Sequence, residues 1–290
     1  MIKSIHYYKD SKMLKEGVSV SIQTFNSEER IKKLLDAIQK ENHNEIIICD
    51  HNSKDKTVEI AKNYTDKILI LDNDLGRERS LKTAELREFK YFFSIETDQY
   101  FELGIIDKLK NKLINSENFL VSAKLKVLNP KTIYEKFLNE YYILNNQQRF
   151  PGTPFLTYNE FYKDLLSNFN EIADGAGYDS SIIDIFLKKK LAYNVLNIDC
   201  FQEEKLDTKI LVKKFYWYGN GDYNFYQMNK NKMSFLEKIN SLTHVFKKYF
   251  IIFPIKSILR FRLIFFFLIF YFGIIRYLGF FSKIIKKNFI

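Results

Sequence analysis

Apolar segments in the first hundred residues predict strands and helices in turn. Val18, Val20 and Ile22 alternate with two serines, which indicates a strand. Apolar residues at helical spacing follow over 31–38, and Ser27 is the predicted N-cap of that helix. The pattern therefore predicts a strand that leads directly into a helix.

The same strand and helix unit recurs along the chain. Residues 45–49 form a solid apolar strand that ends in a polar turn. The elements predicted after this turn are a helix over 57–63, a strand over 67–71, a helix over 78–90 and a fourth strand over 91–95. Solid apolar strands separated by helices indicate an α/β fold, with a mostly parallel central sheet that helices flank on both faces.

Polar side chains follow the predicted strands at the point where each strand ends. Right-handed crossovers bring the carboxyl ends of parallel strands to one edge, where open α/β sheets bind their ligands. The residues expected at this edge are Thr24, Asn26, Asp50, residues 76–79, Glu96 and Asp98. The two carboxylates Glu96 and Asp98 suit a divalent metal ion that neutralises a diphosphate, and a solvated turn after a strand has the same pattern.

The net charge of +10 is concentrated near the carboxyl terminus. Residues 233–290 carry ten Lys or Arg and one acid, Glu237, whereas residues 1–232 contain 35 basic and 34 acidic residues. A nearly neutral body with a basic tail does not predict a nucleic-acid partner. The positive charge of the chain is therefore a property of its carboxyl-terminal tail.

The tail is also strongly apolar. Leu263 to Phe281 is a run of nineteen residues whose one charge is Arg276. Nineteen residues just suffice to span a bilayer, and basic residues on both sides fit an interfacial hairpin equally well. A soluble tail is the third interpretation. We expect membrane attachment through residues 245–287.

Cysteine usage and the amino terminus bear on the compartment. Cys49 and Cys200 match neither a disulfide framework nor a metal-binding spacing, which suits a reducing compartment. The first residues show no apolar segment of the kind that directs secretion. Together with the tail, these features predict the cytoplasmic face of the cell membrane.

Four segments, taken in order, resemble the nucleotide-sugar glycosyltransferases of family 2, whose catalytic domain has the GT-A fold. They are residues 18–28 (VSVSIQTFNSE), 46–61 (IIICDHNSKDKTVEIA), 76–79 (GRER) and 93–98 (FSIETD). The resemblance is close over 17–104 and looser to about residue 225. It implies a GT-A-like domain over 1–232, with a nucleotide-sugar half (17–104) and an acceptor half (105–232), before a helical membrane tail over 233–290.

The resemblance assigns the nucleotide-binding residues. Thr24, Asn26 and Glu28 are expected to line the nucleoside, Asp50 to accept a hydrogen bond from the base, and Arg79 to order the nucleotide or the diphosphate. Alternative interpretations stay open, since Glu28 also fits a simple helix start and Asp50 a simple turn.

The resemblance also assigns a metal ligand. Asp98 is expected to coordinate Mg²⁺ or Mn²⁺, both of which prefer oxygen ligands. Glu96 stands where the family has an aspartate that contacts the ribose or a metal-bound water, and its longer side chain leaves that role open.

The acceptor half resembles the family in fewer residues. Residues 151–155 and 168–171 look like the strand and the turn that precede the family's Glu-Asp pair. Tyr178 replaces the glutamate of that pair, and Asp179 is the implied general base. Asp174 is the competing base, and Asp179 also fits the N-cap of the helix that follows.

The aromatic segment 215–222 resembles a Tyr-Gly-x-Gly-Asp segment of membrane-bound transferases, with side chains that suit either a sugar or a protein core.

The activity that the resemblance implies is inverting transfer of a sugar from a nucleotide diphosphate-sugar to a hydroxyl acceptor. The acceptor expected near a membrane is a lipid-linked or cell-envelope glycan. Two alternatives remain: a sugar nucleotidyltransferase, whose Gly-rich basic loop is missing after the first strand, and a membrane-attached scaffold with a degenerate transferase domain. The scaffold is favoured by Glu96, by Tyr178 and by the altered arginine loop, where Glu78 and Ser80 replace the usual neighbours of Arg79.

Overall fold

The computed structural model describes residues 2–71, 76–146, 152–169, 172, 178–202, 206–260 and 262–288. The sequence predictions that concern residues 72–75, 151, 170–171 and 173–177, among them the competing base Asp174, lie outside the described residues.

Strands and helices alternate through the first hundred described residues, as the sequence predicts. The strands are β1 (Lys15–Thr24), β2 (Glu45–Asp50), β3 (Ile68–Ile70), β4 (Phe89–Glu96), β5 (Gln99–Phe101), β6 (Leu120–Val127), β7 (Phe155–Tyr158) and β8 (Tyr193–Gln202). The helices are α1 (Ile5–Asp10), α2 (Glu28–Ile38), α3 (Thr57–Ala61), α4 (Gly76–Leu86), α5 (Ile105–Ile114), α6 (Ile133–Asn146), α7 (Asn159–Asn168), α8 (Tyr178–Lys188), α9 (Thr208–Asn229), α10 (Phe235–Phe246), α11 (Phe253–Leu259) and α12 (Leu263–Asn288), with a π-helical segment, Lys247–Ile252, before α11.

The eight described strands form one mixed sheet in the order β3-β2-β1-β4-β7-β6-β8-β5. The first four strands of this order pair in parallel, and β6 pairs in parallel with β8. The remaining pairings, β4 with β7, β7 with β6 and β8 with β5, are antiparallel. The α/β class, the helix-flanked central sheet and the apolar carboxyl-terminal helix are confirmed, and the antiparallel insertion of β7 was not predicted.

The central strand β1 is buried along both faces. Val18, Val20 and Ile22 lie in the core as their spacing predicts, but Ser19 and Ser21 are buried as well. The Ser19 hydroxyl donates to the Glu45 carboxylate of the neighbouring strand, so this buried hydroxyl is satisfied within the sheet. The alternation therefore indicated the strand correctly, although both faces of β1 are buried in the folded protein.

One predicted helix end differs from the structure, and one predicted N-cap stands at its expected position without the expected hydrogen bond. The helix predicted to end near residue 90 stops at Leu86, because Phe89 already pairs with Lys15 in the sheet. The predicted N-cap Ser27 precedes α2, but its side chain makes no cap hydrogen bond. Its hydroxyl lies 2.9 Å from the Thr97 hydroxyl instead.

The chain divides into two compact units. Unit 1 comprises residues 1–128, 148–170 and 185–204, and it holds the sheet. Unit 2 comprises residues 129–147, 171–184 and 205–290, and it holds α6 and α9 to α12. The functional boundary proposed from the sequence at residue 232 is a different division, and it stays a prediction.

The aromatic segment 215–222 lies within α9, which packs closely on α12. A Cβ on Gly219 would lie 1.9 Å from the backbone oxygen of Arg276, and one on Gly279 would lie 2.1 Å from that of Tyr216. The Phe215 ring is fully buried, with its centroid 4.8 Å from that of Phe272. For Phe215 the core interpretation is therefore confirmed.

Among the described residues, one helical segment, Leu263–Ile285, is long and apolar enough to cross a membrane, judged by its length and composition alone.

Glu41 offers a test of the fold of unit 1. Its carboxylate accepts hydrogen bonds from the backbone N–H groups of Gly104 (2.6 Å) and Ile106 (3.1 Å), at the amino terminus of α5. Glu41→Ala leaves the partly buried Gly104 N–H and the buried Ile106 N–H without this acceptor, so we expect a loss of about 1–3 kcal/mol in the free energy of unfolding. Urea denaturation measures this loss. Glu102→Ala, at an exposed site nearby, is the matched control, and equal losses in the two variants would contradict the capping role.

Candidate active site

The ends of three parallel strands lie side by side at one edge of the sheet. Thr24 of β1 is in register with Asp50 of β2, and Gln23 is in register with Glu96 of β4. Asp98 follows two residues after Glu96. The structure therefore brings together the strand-end residues that the sequence analysis placed at this edge.

Thr24 has an unsatisfied hydroxyl at this edge. The side chain is 3% exposed, and its Oγ1 makes no hydrogen bond to any described residue. A buried hydroxyl without a partner is rare in folded proteins, because it loses its hydrogen bonds to water. Thr24 thus retains a donor and an acceptor for a ligand, and its nucleoside contact stays a prediction.

Asn26 and Glu28 join the turn after β1 to the loop after β2. Asn26 has a left-handed backbone, with φ of 44°, and its Oδ1 accepts from the Lys54 N–H at 2.9 Å. Glu28 accepts from the Lys56 N–H through Oε2 at 3.0 Å. Both side chains are exposed, so their observed role is to connect the two loops, and their nucleoside contacts stay predictions.

Asp50 is fully buried and organises its own turn. The Ser53 N–H donates to Oδ1 at 2.7 Å, and the Ser53 hydroxyl donates to Oδ2 at 2.5 Å. Asp50 therefore does form a turn with Ser53, as the alternative interpretation predicts. A carboxylate has lone pairs beyond these two bonds, so the hydrogen bond from a base is compatible with this turn and stays a prediction.

Arg79 of α4 reaches the end of β2 through His51. Its Nη1 lies 2.9 Å from His51 Nε2, and a guanidinium has donors only, so Nε2 is the acceptor. The His51 backbone N–H donates to the Thr24 carbonyl at 3.0 Å. His51 was not predicted as a site residue from the sequence, although its position directly after Asp50 was a signal that could have identified it.

Asp98 is held by a strand from the other end of the sheet. The Gln202 side chain at the end of β8 donates from Nε2 to Asp98 Oδ2 at 2.5 Å. The same strand carries Cys200, and burial raises the pKa of its thiol, with further contributions from the charges of Asp98 and Glu96. The charges of both carboxylates therefore act on the same buried thiol. Gln202, like His51, was not predicted as a site residue from the sequence.

Hydrogen bonds of Glu96 and Thr97 hold the turn that contains the two carboxylates. The Glu96 N–H donates to Gln99 Oε1 at 3.2 Å, and Gln99 Nε2 donates to the Thr153 carbonyl at 3.0 Å. Thr97 contacts Ser27 at the start of α2. These contacts hold the Glu96-Thr97-Asp98 turn against the start of α2 and Gln99, and a turn that only projects into solvent does not need them.

The side chains at this edge fit a divalent cation of the Mg²⁺ or Mn²⁺ kind. Among the described residues, no group of three or more His, Cys, Asp or Glu side chains is arranged to hold a metal ion by itself. Glu96 and Asp98 offer two carboxylates, and Mg²⁺ is usually held by one or two carboxylates together with substrate phosphates. The donor set therefore suits a metal ion that arrives with a diphosphate.

The proposed base Asp179 lies in unit 2, in the first turn of α8, and it is exposed. The helix begins at Tyr178, so Asp179 is inside the helix and does not occupy the N-cap position. A negative charge in a first turn is favourable because of the helix dipole. Tyr178, which replaces the family's glutamate, is buried. The catalytic role of Asp179 stays a prediction.

Comparison with known proteins agrees with the geometry at the strand ends. Residues 19–84 match the family model of Glycosyl transferase family 2. This match includes Thr24, Asn26, Glu28, Asp50 and Arg79, and it ends before the two carboxylates of the β4 turn. A search of curated proteins finds no match to the chain.

Solved structures of one synthase match most of the chain. Glucosyl-3-phosphoglycerate synthase from Mycobacterium tuberculosis with phosphoglyceric acid aligns with a TM-score of 0.54 at 15% identity, over 78% of this chain and 84% of that one. The same enzyme with Mn²⁺ and UDP-glucose aligns with a TM-score of 0.54 at 15% identity, over 78% and 83%. This likeness shows the fold, which is GT-A-like.

Proposed function

We propose that this protein transfers a sugar from a nucleoside diphosphate-sugar to a hydroxyl acceptor. The observation that carries the proposal is the alignment of Thr24, Asp50 and Glu96 at one sheet edge, next to Asp98. Thr24 and Asp50 lie within the segment that matches Glycosyl transferase family 2, and Glu96 and Asp98 follow it along the chain. Thr24, Asn26, Glu28 and Asp50 are the proposed nucleoside contacts.

Arg79 and the two acidic residues serve the diphosphate in this proposal. The guanidinium of Arg79 neutralises phosphate charge, and its bond to His51 fixes its direction. Asp98, with Glu96 beside it, holds a Mg²⁺ or Mn²⁺ ion. Such an ion, when bound, stabilises the negative charge that develops on the departing nucleotide. In support, the solved synthase of Mycobacterium tuberculosis holds UDP with Mg²⁺ in one structure and with Mn²⁺ in another.

The chemical step that we propose is an inverting displacement. Asp179 takes the proton of the acceptor hydroxyl as the hydroxyl oxygen bonds to the anomeric carbon. The bond between that carbon and the diphosphate oxygen breaks at the same time, and the diphosphate leaves with the bonding electrons. The product has the opposite anomeric configuration.

We further propose a lipid-linked or cell-envelope glycan as the acceptor, with the protein attached to the cytoplasmic face of the cell membrane through residues 245–287. The basic, apolar tail supports this choice. The matched synthase was solved with phosphoglyceric acid, which is a different kind of hydroxyl acceptor.

A second candidate is a membrane-attached scaffold that binds no donor. It is favoured by Glu96 in place of an aspartate and by the Gln202 amide that already occupies Asp98 Oδ2. A scaffold of this kind needs no nucleotide at the edge of the sheet.

Donor binding separates the two candidates. We expect one of the UDP-, GDP- or dTDP-sugars to raise the melting temperature of the full chain, because a ligand that binds only the folded state stabilises it. At a ligand concentration of about 100 times Kd the gain is about 2.7 kcal/mol. The increase should be larger with Mn²⁺ than with a chelator. No metal-dependent increase with any of these nucleotides would favour the scaffold.

A further inference from the structure

One side of α12 carries a long exposed apolar stripe. Its members recur at alternating spacings of three and four residues, and each side chain is 44 to 71% exposed. The stripe consists of Ile264, Phe267, Tyr271, Ile274, Leu278, Phe281 and Ile285. At about 1.5 Å per residue it is about 30 Å long. An apolar patch of this length on one helix indicates contact with another apolar phase.

The opposite side of α12 packs against other helices of unit 2. Arg276 donates to Asp222 of α9 from Nε at 2.6 Å and from Nη2 at 2.7 Å, and both side chains are buried. The Phe272 ring stacks on Phe137 of α6 at 4.9 Å. Since Gly219 and Gly279 allow the backbones of α9 and α12 to touch, α12 cannot leave α9 without exposing this packed side.

A second set of exposed apolar side chains lies on the segment that packs beside α12. Phe250 contacts Phe270 with ring centroids 5.2 Å apart, and the Tyr277 hydroxyl donates to the Leu242 carbonyl, so the segment from α10 to α11 lies along α12. Its exposed apolar residues are Phe235, Leu236, Ile239, Leu242, Phe246, Ile251, Ile252, Ile255, Ile258 and Leu259. Basic residues are interspersed among them, at Lys238, Lys247, Lys248, Lys256 and Arg260.

The basic residues near this apolar surface indicate what kind of partner covers it. Exposed apolar side chains mixed with Lys and Arg are typical of helices that lie in the interface of an anionic membrane. A second copy of the chain would bring the same positive charges to the surface, which disfavours self-association. An anionic lipid surface matches both the apolar and the basic residues.

The packing of α12 also decides its orientation. If α12 crossed the bilayer with its partners attached, exposed charged residues of α9 such as Lys209 and Lys213 would enter the hydrocarbon, where charges are strongly disfavoured. If α12 crossed alone, Asp222 would lose the partner that offsets its burial. Neither cost arises when the stripe faces the lipid from one side.

We propose that α10, α11 and α12 lie in one leaflet of an anionic membrane, with the stripe facing the hydrocarbon, and that α12 does not span the bilayer. This inference rests on the membrane attachment given under the proposed function, and it names the membrane-facing residues and their geometry. Both ends of α12 then remain on the same side of the membrane.

Cysteine accessibility in cell-membrane vesicles tests the geometry. Arg262→Cys and Lys283→Cys introduce exposed thiols near the two ends of the stripe, while the native Cys49 and Cys200 are buried and give a low background. We expect a membrane-impermeant maleimide to label both variants in inside-out vesicles and neither in right-side-out vesicles before detergent is added. Labelling of the two sites in vesicles of opposite orientation would overturn the proposal.

Binding to synthetic vesicles tests the surface itself. The double variant Ile274→Glu, Leu278→Glu should bind vesicles of phosphatidylglycerol and phosphatidylcholine at least about tenfold more weakly than the parent chain, and pure phosphatidylcholine should weaken binding of the parent. Leu103→Glu, at an exposed leucine of unit 1, is the matched control and should bind like the parent. Unchanged binding of the double variant would overturn the proposal.

The same samples separate this inference from the proposed transferase activity. Donor-induced thermal shifts should be equal in the parent and in the double variant, because the stripe is not part of the donor site. Vesicle binding without any nucleotide-dependent shift would support the membrane surface while the proposed activity fails.

Discussion

Asp98→Asn is expected to lower the rate of sugar transfer by about 10²–10³-fold, because a bound metal ion contributes several kcal/mol of charge stabilisation and about 1.4 kcal/mol corresponds to a factor of ten. The substitution removes a negative charge and keeps the size of the side chain. The asparagine oxygen can still accept the hydrogen bond that Gln202 Nε2 donates to Asp98, so the fold should remain intact. The measurement is the initial rate of transfer by full-length protein in detergent, with the donor identified by thermal shift, at several Mn²⁺ concentrations.

The variant should also need more Mn²⁺ to reach half of its maximal rate, which a loss of folding alone would not cause. Glu102→Gln is the matched control, since it neutralises an exposed carboxylate a few residues further along the chain. It should keep the parental rate. A parental rate and metal dependence in Asp98→Asn would show that the metal assignment is wrong.

Asp222→Ala is expected to lower the free energy of unfolding by about 3–5 kcal/mol, because it leaves the buried Arg276 guanidinium without its carboxylate. Thermal unfolding in detergent measures this loss. The double variant Asp222→Leu, Arg276→Met should recover most of the loss, since an apolar pair of similar volume has no buried charge to compensate.

The effect should depend on pH in a defined direction. Burial opposes ionisation of Asp222, but the charge and hydrogen bonds of Arg276, with a smaller contribution from His244, outweigh it and hold the pKa of the carboxyl well below its usual range. The stability that ionised Asp222 contributes is therefore complete above the ordinary Asp pKa of about 3.9 and is lost as the pH falls toward the folded-state value. The parent and Asp222→Ala should accordingly become more similar in stability as the pH is lowered.

Lys213→Ala is the matched control for this prediction, because it removes an exposed charge from the same helix. Its effect should stay within about 0.5 kcal/mol, as is usual at exposed positions. If Asp222→Ala also lost no more than about 0.5 kcal/mol, the Asp222–Arg276 pair would not stabilise unit 2.

The sequence predicted the parallel half of the sheet well because its signals are local. Solid apolar strands such as residues 46–49 and the helical spacing of residues 31–38 depend only on neighbours in the chain. The parallel register then brings Thr24 opposite Asp50 without further information. The segments that resemble family 2 are these same local signals in order.

Contacts between distant segments could not be predicted in this way. The antiparallel insertion of β7 between β4 and β6 depends on pairing of Phe92 with Thr157, which are far apart in the chain. The amide of Gln202 on Asp98 and the bond of Arg79 to His51 also require the folded sheet. Single residues of these types carry no pattern that could have identified their partners.

The sequence by itself determined the α/β class, the strand-end residues and the basic, apolar character of the tail, because composition and periodicity depend only on the order of residues along the chain. Only the tertiary structure decided what the aromatic and apolar residues of the second half do. Gly219 and Gly279 allow α9 and α12 to touch, and the Asp222–Arg276 pair lies buried within this contact. That packing covers one side of α12 and leaves the other exposed, since a helix can bury only the face that a partner reaches.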